Sequence, residues 1–291
     1  MKRVLITGIT GYIGSNLARE LIKDCEVYGL VRAPLNTEYI DDIKEQIRFS
    51  FFDGSYESVE VALKEIHPDL VFHLAAYYTG AHGAKETPLL IDANITFGAY
   101  LLEAMAACGK IALVYASSVM TIYAGNEYTP LNLYAATKKA FSDLLTYYTD
   151  AQLLRSVTLI LSDTYGPGDH RPKILNLIRN AAQNNETIAL SDGRQDYDLV
   201  YIKDVVSAFK SAGMMLLENQ WQNETFQVFS PKPLSLRETV ERMQKINHLT
   251  LKAEWGKKPS PERMIRAVVR LYPSIPGWKP LVSLDEGLRQ F

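Results

Sequence analysis

The fold of this 291-residue chain is indicated most clearly by one segment, Val4-Leu5-Ile6-Thr7-Gly8-Ile9-Thr10-Gly11-Tyr12-Ile13-Gly14. A short apolar run that predicts a strand leads directly into three glycines, and a helical pattern follows over residues 13–23. Glycine permits a tight turn and lets backbone N–H groups approach a pyrophosphate at the helix N-terminus. Because strand, glycine loop and helix come in that order, the stretch predicts a dinucleotide site opening a βαβ unit rather than a simple turn.

Short apolar runs alternate with helical patterns through the first two-thirds of the chain. The runs are almost continuously apolar, as strands covered on both faces are. This alternation predicts the α/β class and a Rossmann-type doubly wound parallel sheet. The predicted strands are 4–7, 26–31, 47–52, 70–74, 111–116 and 156–161, and the predicted helices are 13–23, 56–66, 90–108 and 134–149.

The sequence pattern changes after Tyr165-Gly166-Pro167-Gly168. Residues that favour turns become more frequent there, and the predicted strands and helices become short. We therefore predict two domains. Residues 1–163 form a dinucleotide-binding domain, and residues 164–291 form a smaller α+β domain that binds the substrate. Residues 198–217 are expected to pack back onto the first domain.

Charge and cysteine content argue against several classes of protein. The chain has 31 Lys+Arg against 33 Asp+Glu, which leaves no basic patch for nucleic acid or anionic membrane surfaces. Its two cysteines, Cys25 and Cys108, are far apart and lack a CxxC or histidine cluster, so neither a disulfide framework nor a metal site is predicted. The N-terminal apolar run is too short for a signal peptide, and no membrane span is predicted. We expect a cytoplasmic protein.

The end of the second predicted strand bears on the choice of dinucleotide. NAD sites usually place an acidic residue there to bind the ribose 2′-hydroxyl, whereas this strand ends Leu30-Val31-Arg32. A guanidinium suits a 2′-phosphate, so Arg32 predicts NADPH, with NAD as the alternative if Arg32 is an ordinary surface residue. Asp53, after the third strand, is placed to accept from the adenine amino group.

Tyr134 is the only one of the 17 tyrosines that is followed four residues later by lysine, Lys138. Residues four apart share one face of a helix, and an ammonium near a phenol is expected to lower the phenol pKa. The preceding strand ends Tyr115-Ala116-Ser117-Ser118, which supplies a hydroxyl beside a reacting carbonyl. Ser118 is favoured as that hydroxyl, and Ser117 is the alternative.

With these residues in place, the chain resembles the extended short-chain dehydrogenase/reductase family of nucleotide-sugar epimerases, dehydratases and 4-ketoreductases. The matching pieces are Gly8, Gly11, Gly14, His73-Leu74-Ala75-Ala76, Asn94, Ser118, Tyr134, Lys138, Tyr165-Gly166-Pro167-Gly168, Asp198 through Asp204-Val205, and Gly277-Trp278-Lys279-Pro280. The resemblance implies a catalytic Ser/Tyr/Lys set that Asn94 helps to hold, a nucleoside-diphosphate sugar between the domains, and a homodimer.

Together, the strand ends and the resemblance define a set of residues expected at the cofactor. These are Gly8, Thr10, Gly11, Tyr12, Ile13, Gly14, Arg32, Asp53, Gly54, Leu74, Ala75, Ala76, Tyr134 and Lys138. Tyr77 and Tyr78 in the loop after the fourth strand are expected to line the sugar site, together with Ser118 and Tyr134.

Departures from the family pattern reduce the number of reactions that the chain is expected to catalyse. Dehydratases of the family carry an Asp-Glu pair directly after the catalytic hydroxyl, and Val119-Met120 at those places cannot move protons. Arg32 disfavours an epimerase that recycles tightly held NAD. The sequence therefore predicts NADPH-dependent reduction of a 4-keto-6-deoxy sugar, with a 4-epimerase as the alternative and a non-catalytic dinucleotide sensor as a more distant one.

The substrate side departs from the family as well. Tyr197 and Ile160 stand where the family often has arginine, and Asp163 stands where asparagine is common. Another cation must then meet the diphosphate. The candidates are Arg194, Arg263 and Arg266, and Asp163 is also expected to contact the substrate.

Overall fold

The computed structural model describes residues 1–109, 111–126, 129–218 and 221–291. Its strands are β1 (Lys2–Thr7), β2 (Cys25–Arg32), β3 (Ile47–Phe52), β4 (Leu70–His73), β5 (Ala112–Ser118), β6 (Arg155–Leu161), β7 (Asp163–Tyr165), β8 (Thr187–Leu190), β9 (Asp196–Tyr197), β10 (Leu199–Tyr201), β11 (Asn223–Val228), β12 (Leu234–Ser235) and β13 (Lys252–Trp255). Its helices are α1 (Tyr12–Leu21), α2 (Tyr56–Ile66), α3 (Glu86–Ile91), α4 (Phe97–Ala107), α5 (Leu133–Asp150), α6 (Ile174–Gln183), α7 (Ile202–Leu217), α8 (Leu236–Asn247) and α9 (Leu284–Arg289).

Seven parallel strands form the central sheet, in the order β11-β6-β5-β4-β1-β2-β3. The chain runs outward from β1 to β3 on one side and returns through β4 on the other. The place where the order reverses, beside β1, is where ligands bind in open α/β sheets. The predicted Rossmann-type fold is confirmed.

Helices cover both faces of this sheet, which explains its continuously apolar strands. Along β5, Val114 and Ala116 pack on the side of α1 and α7, while Leu113 and Tyr115 pack on the side of α2, α4 and α5. Each strand therefore buries successive side chains into two different hydrophobic cores.

A π-helical turn, Asp92–Thr96, separates α3 from α4 where the sequence predicts one continuous helix over 90–108. Such turns insert an extra residue into a helix and are frequent at functional sites. Asn94 lies in this turn and its side chain is buried.

By length and composition, the run Glu86–Ala107 is also able to cross a membrane, although the sequence predicts no membrane span. A core helix of a globular protein passes the same test. Phe97, Leu101, Leu102 and Met105 are buried against the central sheet, and this packing accounts for the apolar composition of the run.

The C-terminal region is built from small two-stranded sheets and short helices. The pairs are β7 with β10, β9 with β12, and β8 with β13. The predicted division at residue 163 misses one element, because β11 (223–228) is the outermost strand of the central sheet and pairs with β6. The preceding helix, α7, packs against α1.

Candidate active site

The glycine loop is pressed between β4 and α1. Gly8 has a φ of 72°, and a Cβ there would lie 2.6 Å from the backbone nitrogen of Ala75. A Cβ at Gly14 would lie 2.2 Å from the Gly8 carbonyl oxygen. Both positions therefore require glycine if the loop is to keep this path.

The N-terminus of α1 is left open to an anion. Its N-cap, Gly11, has no side chain to accept from the helix, and the first turn contains no acidic residue. The first N–H groups of a helix lack internal acceptors and carry its positive end. Thr10 and Ile13, half-buried, flank the exposed Gly11, so the residues here fit a dinucleotide pyrophosphate.

Arg32 ends β2 with an exposed side chain, which makes no hydrogen bond or ion pair with any residue that the structure describes. Asp53 follows β3, and its Oδ1 accepts from the Ser55 nitrogen at 2.9 Å and the Ser55 hydroxyl at 2.6 Å. These bonds hold the pKa of Asp53 below its ordinary value. Gly54 after it has a φ of 105°. The carboxyl ends of β2 and β3 therefore carry an exposed guanidinium and an ionised carboxylate.

The loop after β4 is bonded to the end of β1 beside the glycine loop. Leu74 donates from its backbone nitrogen to the Thr7 carbonyl at 3.1 Å, and the Ala75 nitrogen donates to the Thr7 hydroxyl at 3.3 Å. Leu74 and Ala75 are half-buried and Ala76 is exposed. The predicted cofactor residues of the first and fourth strands are thus brought together at one edge of the sheet.

Tyr134 and Lys138 lie on α5. Asn132 is the N-cap of this helix, and its side chain accepts a hydrogen bond from the Ala135 nitrogen at 2.9 Å. Lys138 is 3% exposed, and its Nζ lies 4.4 Å from the centre of the Tyr115 ring. Burial lowers the pKa of Lys138 to about 7.

The expected lowering of the Tyr134 pKa is not what the structure gives. Burial raises the pKa of Tyr134 above its ordinary value, and the nearby Tyr78 phenol and Asp163 carboxylate raise it further. The Arg171 guanidinium acts in the opposite direction without overcoming these effects, and Lys138, whose own pKa falls to about 7, carries only part of a positive charge at neutral pH. Tyr134 is therefore a neutral, protonated phenol, the state that a proton donor needs.

The two candidate serines have different surroundings because successive strand residues point to opposite faces. Ser118 ends β5, and its hydroxyl accepts from the Met120 nitrogen at 3.2 Å at the start of a short 3-10 turn, Val119–Ile122. Ser117 is buried and lines a separate polar cavity of about 220 Å³ with Ser142 and Thr158.

Asn94 joins the loop after β4 to helix α5. Its Oδ1 accepts from the Tyr77 nitrogen at 2.8 Å, and its Nδ2 donates to the Tyr77 carbonyl at 3.0 Å and to the Thr137 hydroxyl at 2.9 Å. The Thr137 hydroxyl in turn donates to the Tyr134 carbonyl at 2.8 Å. This chain of bonds fixes the backbone on which Tyr78 and Tyr134 stand.

A cavity of about 930 Å³ opens between the central sheet and the C-terminal region. Tyr78, Val119 and Met120 line one side of it, and Asp163 and Tyr197 line the other. The volume is that of a site for a ligand of substantial size.

The three arginines predicted for the diphosphate are placed differently. Arg263 lines the cavity, and its guanidinium donates to the carbonyls of Leu131 at 2.9 Å and Pro130 at 2.6 Å. The Arg194 side chain is 88% exposed and lies 3.9 Å from an Asp192 oxygen. Arg266 is exposed and contributes its carbonyl as acceptor for the Asp196 nitrogen.

Sequence reasoning missed two cations that stand near the site, Arg171 and Lys173. Arg171 makes two 2.7 Å bonds to the buried Asp169 carboxylate and lies 4.6 Å above the Tyr12 ring. Lys173 lies 2.7 Å from Asp163. The signal that could have found them is the pair of basic residues within five positions of Tyr165-Gly166-Pro167-Gly168.

Tyr12 also links the glycine loop to the C-terminal region. Its hydroxyl donates to the Pro167 carbonyl at 3.2 Å, and its ring packs on Tyr39 with centroids 5.9 Å apart. The Tyr39 hydroxyl accepts from the His170 nitrogen at 3.0 Å.

Comparison with known proteins gives relatives along nearly the whole chain. A CDP-abequose synthase from Yersinia pseudotuberculosis is 33% identical over 265 residues, covering 90% of both chains. A UDP-glucuronate 4-epimerase from Thermodesulfobacterium geofontis is 26% identical, covering 98% of this chain and 94% of that one. The structure of the Thermus thermophilus UDP-glucose 4-epimerase in complex with NAD superposes with a TM-score of 0.83, at 25% identity over 99% of this chain and 97% of that one.

The model of the NAD dependent epimerase/dehydratase family matches residues 4–228, from the first strand of the central sheet to its last. That span includes the glycine loop, Asn94, Ser118, Tyr134 and Lys138. The chain therefore belongs to the NAD dependent epimerase/dehydratase family.

Proposed function

We propose that this protein reduces the C4 ketone of a nucleoside-diphosphate 4-keto-6-deoxy sugar with NADPH, as a 4-ketoreductase of deoxysugar biosynthesis. The observation that carries the proposal is the pairing of a protonated Tyr134 with an apolar wall. Val119 and Met120 line the cavity just after Ser118 and carry no group that moves protons. This suits one proton donation to a carbonyl oxygen and does not suit elimination of water.

The glycine loop, the α1 N-terminus and the loop after β4 would hold the dinucleotide, and Arg32 would meet its 2′-phosphate. When bound, the reduced nicotinamide supplies a hydride to the sugar carbonyl carbon. The preference for NADPH is supported by the exposed Arg32 side chain, which has no partner among the described residues.

The residues of the chain have separate tasks in this reaction. Tyr134 donates its proton to the oxygen of the ketone as negative charge develops there. The Ser118 hydroxyl donates a hydrogen bond to the same oxygen and stabilises that charge. Lys138, one helical turn from Tyr134, binds the nicotinamide ribose, and Asn94 holds the loop that carries Tyr77 and Tyr78.

The relatives support two reactions. Two CDP-abequose synthases, at 33% and 25% identity, favour the reductase. The 4-epimerases among the relatives favour epimerisation, which would use the same Tyr134 and Ser118, and the Thermus epimerase structure is a complex with NAD. Arg32 and the protonated Tyr134 support the reductase.

The test is absorbance at the NADPH band when the purified protein is mixed with NADPH and a panel of CDP-, dTDP-, GDP- and UDP-linked 4-keto-6-deoxy sugars. Stoichiometric loss of NADPH with one sugar supports the proposal, and Tyr134→Phe should slow that loss about 10²–10⁴-fold. A protein that purifies with bound NAD and consumes no NADPH would instead be the epimerase. Binding of dinucleotide without turnover of any sugar would indicate a sensor.

We also infer a homodimer formed through the outer surface of α3 to α5. Leu89 and Ile91 on α3 and Tyr147 on α5 expose large apolar side chains on this side of the molecule. Analytical ultracentrifugation should give twice the 32.8 kDa mass of one chain. Tyr147→Glu should shift the protein toward the monomer.

A further inference from the structure

Asp163 stands on the cavity wall close to the proposed reacting groups. Ser118 at the end of β5 pairs with Leu161 at the end of β6, and Asp163 follows two residues later. Asp163 lines the cavity together with Ser162 and Tyr197. The same cavity is lined by Val119, the residue after Ser118, and by Tyr78, whose ring packs on Tyr134. A sugar bound in this cavity therefore lies against a wall that includes Asp163.

Lys173 orients the Asp163 carboxylate. The lysine Nζ lies 2.7 Å from Asp163 Oδ1 and 3.4 Å from the Thr164 carbonyl, and both side chains of the pair are about two-thirds buried or more. Lys173 is the N-cap residue of α6, so the pair joins that helix to the start of β7. An ionised carboxylate only accepts hydrogen bonds. With Oδ1 held by Lys173, Oδ2 is left to accept from a ligand in the cavity.

The other charged groups that line the cavity would not neutralise a carboxylate carried by the ligand. Asp196 and Asp198 also line the cavity and accept from the backbone nitrogens of Val268 and Ser230. Among the described residues that line the cavity, the Arg263 guanidinium stands against three carboxylates, those of Asp163, Asp196 and Asp198, while the neighbouring Arg171 is paired with Asp169. A further carboxylate brought into this excess of negative charge would lose hydration that the single guanidinium does not replace.

We propose that Asp163, oriented by Lys173, is the specificity element of the site: it accepts a hydrogen bond from a hydroxyl of the sugar ring and excludes sugars that carry a carboxylate. The inference rests on the proposed function and sharpens it, because it separates this chain from the relatives named for UDP-glucuronate. Lys173 is a positioning residue in this arrangement and touches the substrate only through Asp163.

The experiment measures binding to the cofactor-loaded protein by calorimetry, with the glucose and glucuronate conjugates of one nucleotide, in both the CDP and the UDP series. Wild type should bind the glucose conjugate at least about tenfold more tightly than the glucuronate conjugate, since close like charges cost strongly. Asp163→Asn should reduce that ratio at least about threefold by removing the charge while keeping the shape. Lys173→Met should weaken the glucose conjugate and still reject glucuronate.

The matched control is Asp41→Asn, which removes an exposed lysine–carboxylate pair of the same 2.7 Å length, Lys44–Asp41, outside the cavity. Its selectivity should equal that of wild type. Equal binding of both sugars by wild type, or an unchanged ratio in Asp163→Asn, overturns the inference and leaves the proposed function standing. A cofactor-loaded protein that binds no sugar of either series and reduces none of the four 4-keto-6-deoxy conjugates overturns both.

Discussion

Tyr78 and Tyr134 meet edge to face, with ring centroids 4.9 Å apart and an angle of 88° between the planes. The contact places a loop residue against the proposed proton donor. Tyr78 lines the cavity, whereas Tyr134 is not among the lining residues. Burial is the main cause of the raised pKa of Tyr134, and the Tyr78 phenol raises that pKa further.

Removing the Tyr78 ring should therefore shift the pH profile. Exposure of Tyr134 in Tyr78→Ala lowers its pKa toward the ordinary value of about 10. Because the proton donor must be protonated, activity is lost as pH rises through the Tyr134 pKa. The basic limb of kcat/KM against pH should move down by about one unit in Tyr78→Ala. Tyr78→Phe keeps the ring and loses only the phenol oxygen, so its limb should lie between those of wild type and Tyr78→Ala; identical profiles for Ala and wild type would contradict this role of Tyr78.

Loss of the Thr137 hydroxyl should lower both the stability and the activity of the protein, because this hydroxyl is bonded to Asn94. Thr137→Val preserves the shape but leaves the buried Asn94 amide and the Tyr134 carbonyl without this partner. We expect a loss of about 1–3 kcal/mol in the free energy of unfolding, measured by urea denaturation. A lowered kcat should accompany it, since the loop of Tyr77 and Tyr78 loosens. Thr137→Ser restores the hydroxyl and should recover both quantities, whereas a Val variant with wild-type stability would show the bonds to be unimportant.

The buried Lys138 should lower the free energy of unfolding of the cofactor-free protein at neutral pH. Burial lowers its pKa from 10.5 to about 7, so the folded state holds the charged form poorly. The penalty is complete below pH 7, declines as pH rises, and is absent above about 10.5, where both states are neutral. Lys138→Met should thus raise the free energy of unfolding by up to roughly 4 kcal/mol at pH 6.5 and by little at pH 10.5. Urea midpoints of the variant and wild type at both pH values test this, and a difference independent of pH would refute it.

Arg32 should select the dinucleotide. Arg32→Ala removes a charged donor to the 2′-phosphate and should weaken NADPH at least about tenfold while leaving NADH within about twofold. Fluorescence titration of both reduced dinucleotides measures the ratio. Arg48→Ala on the adjacent strand removes an exposed arginine paired with Glu26 and should change neither affinity. Unchanged preference in Arg32→Ala would make NAD the better assignment.

Much of the fold follows from local sequence pattern. The strand 47–52 and the helix 56–66 agree residue for residue, because Ser55 caps the helix by accepting from Ser58 and His67 ends it with a φ of 50°. The π turn at Asp92–Thr96 could not be predicted, since it depends on the bonds that Asn94 makes to Tyr77 and Thr137.

The residues of the site were predictable from the sequence, but their protonation states and charged partners were less predictable. Tyr134 and Lys138 stand out by spacing alone, yet the direction of the Tyr134 pKa depends on burial and on Asp163, 29 positions along the chain. The partner of Asp163, Lys173, follows it by ten residues across a turn whose path the sequence does not specify. Placing Arg194 outside the cavity likewise required the course of its loop.

The bond from the Tyr12 hydroxyl to the Pro167 carbonyl has a thermodynamic consequence. Tyr12 belongs to the turn that would bind the pyrophosphate, and Pro167 belongs to the segment that leads to Arg171 and Lys173. One side chain therefore bridges the two segments, and we expect ligand binding at either segment to affect the other. Such coupling is reciprocal: whatever free energy the dinucleotide contributes to the binding of the sugar, the sugar contributes equally to the binding of the dinucleotide.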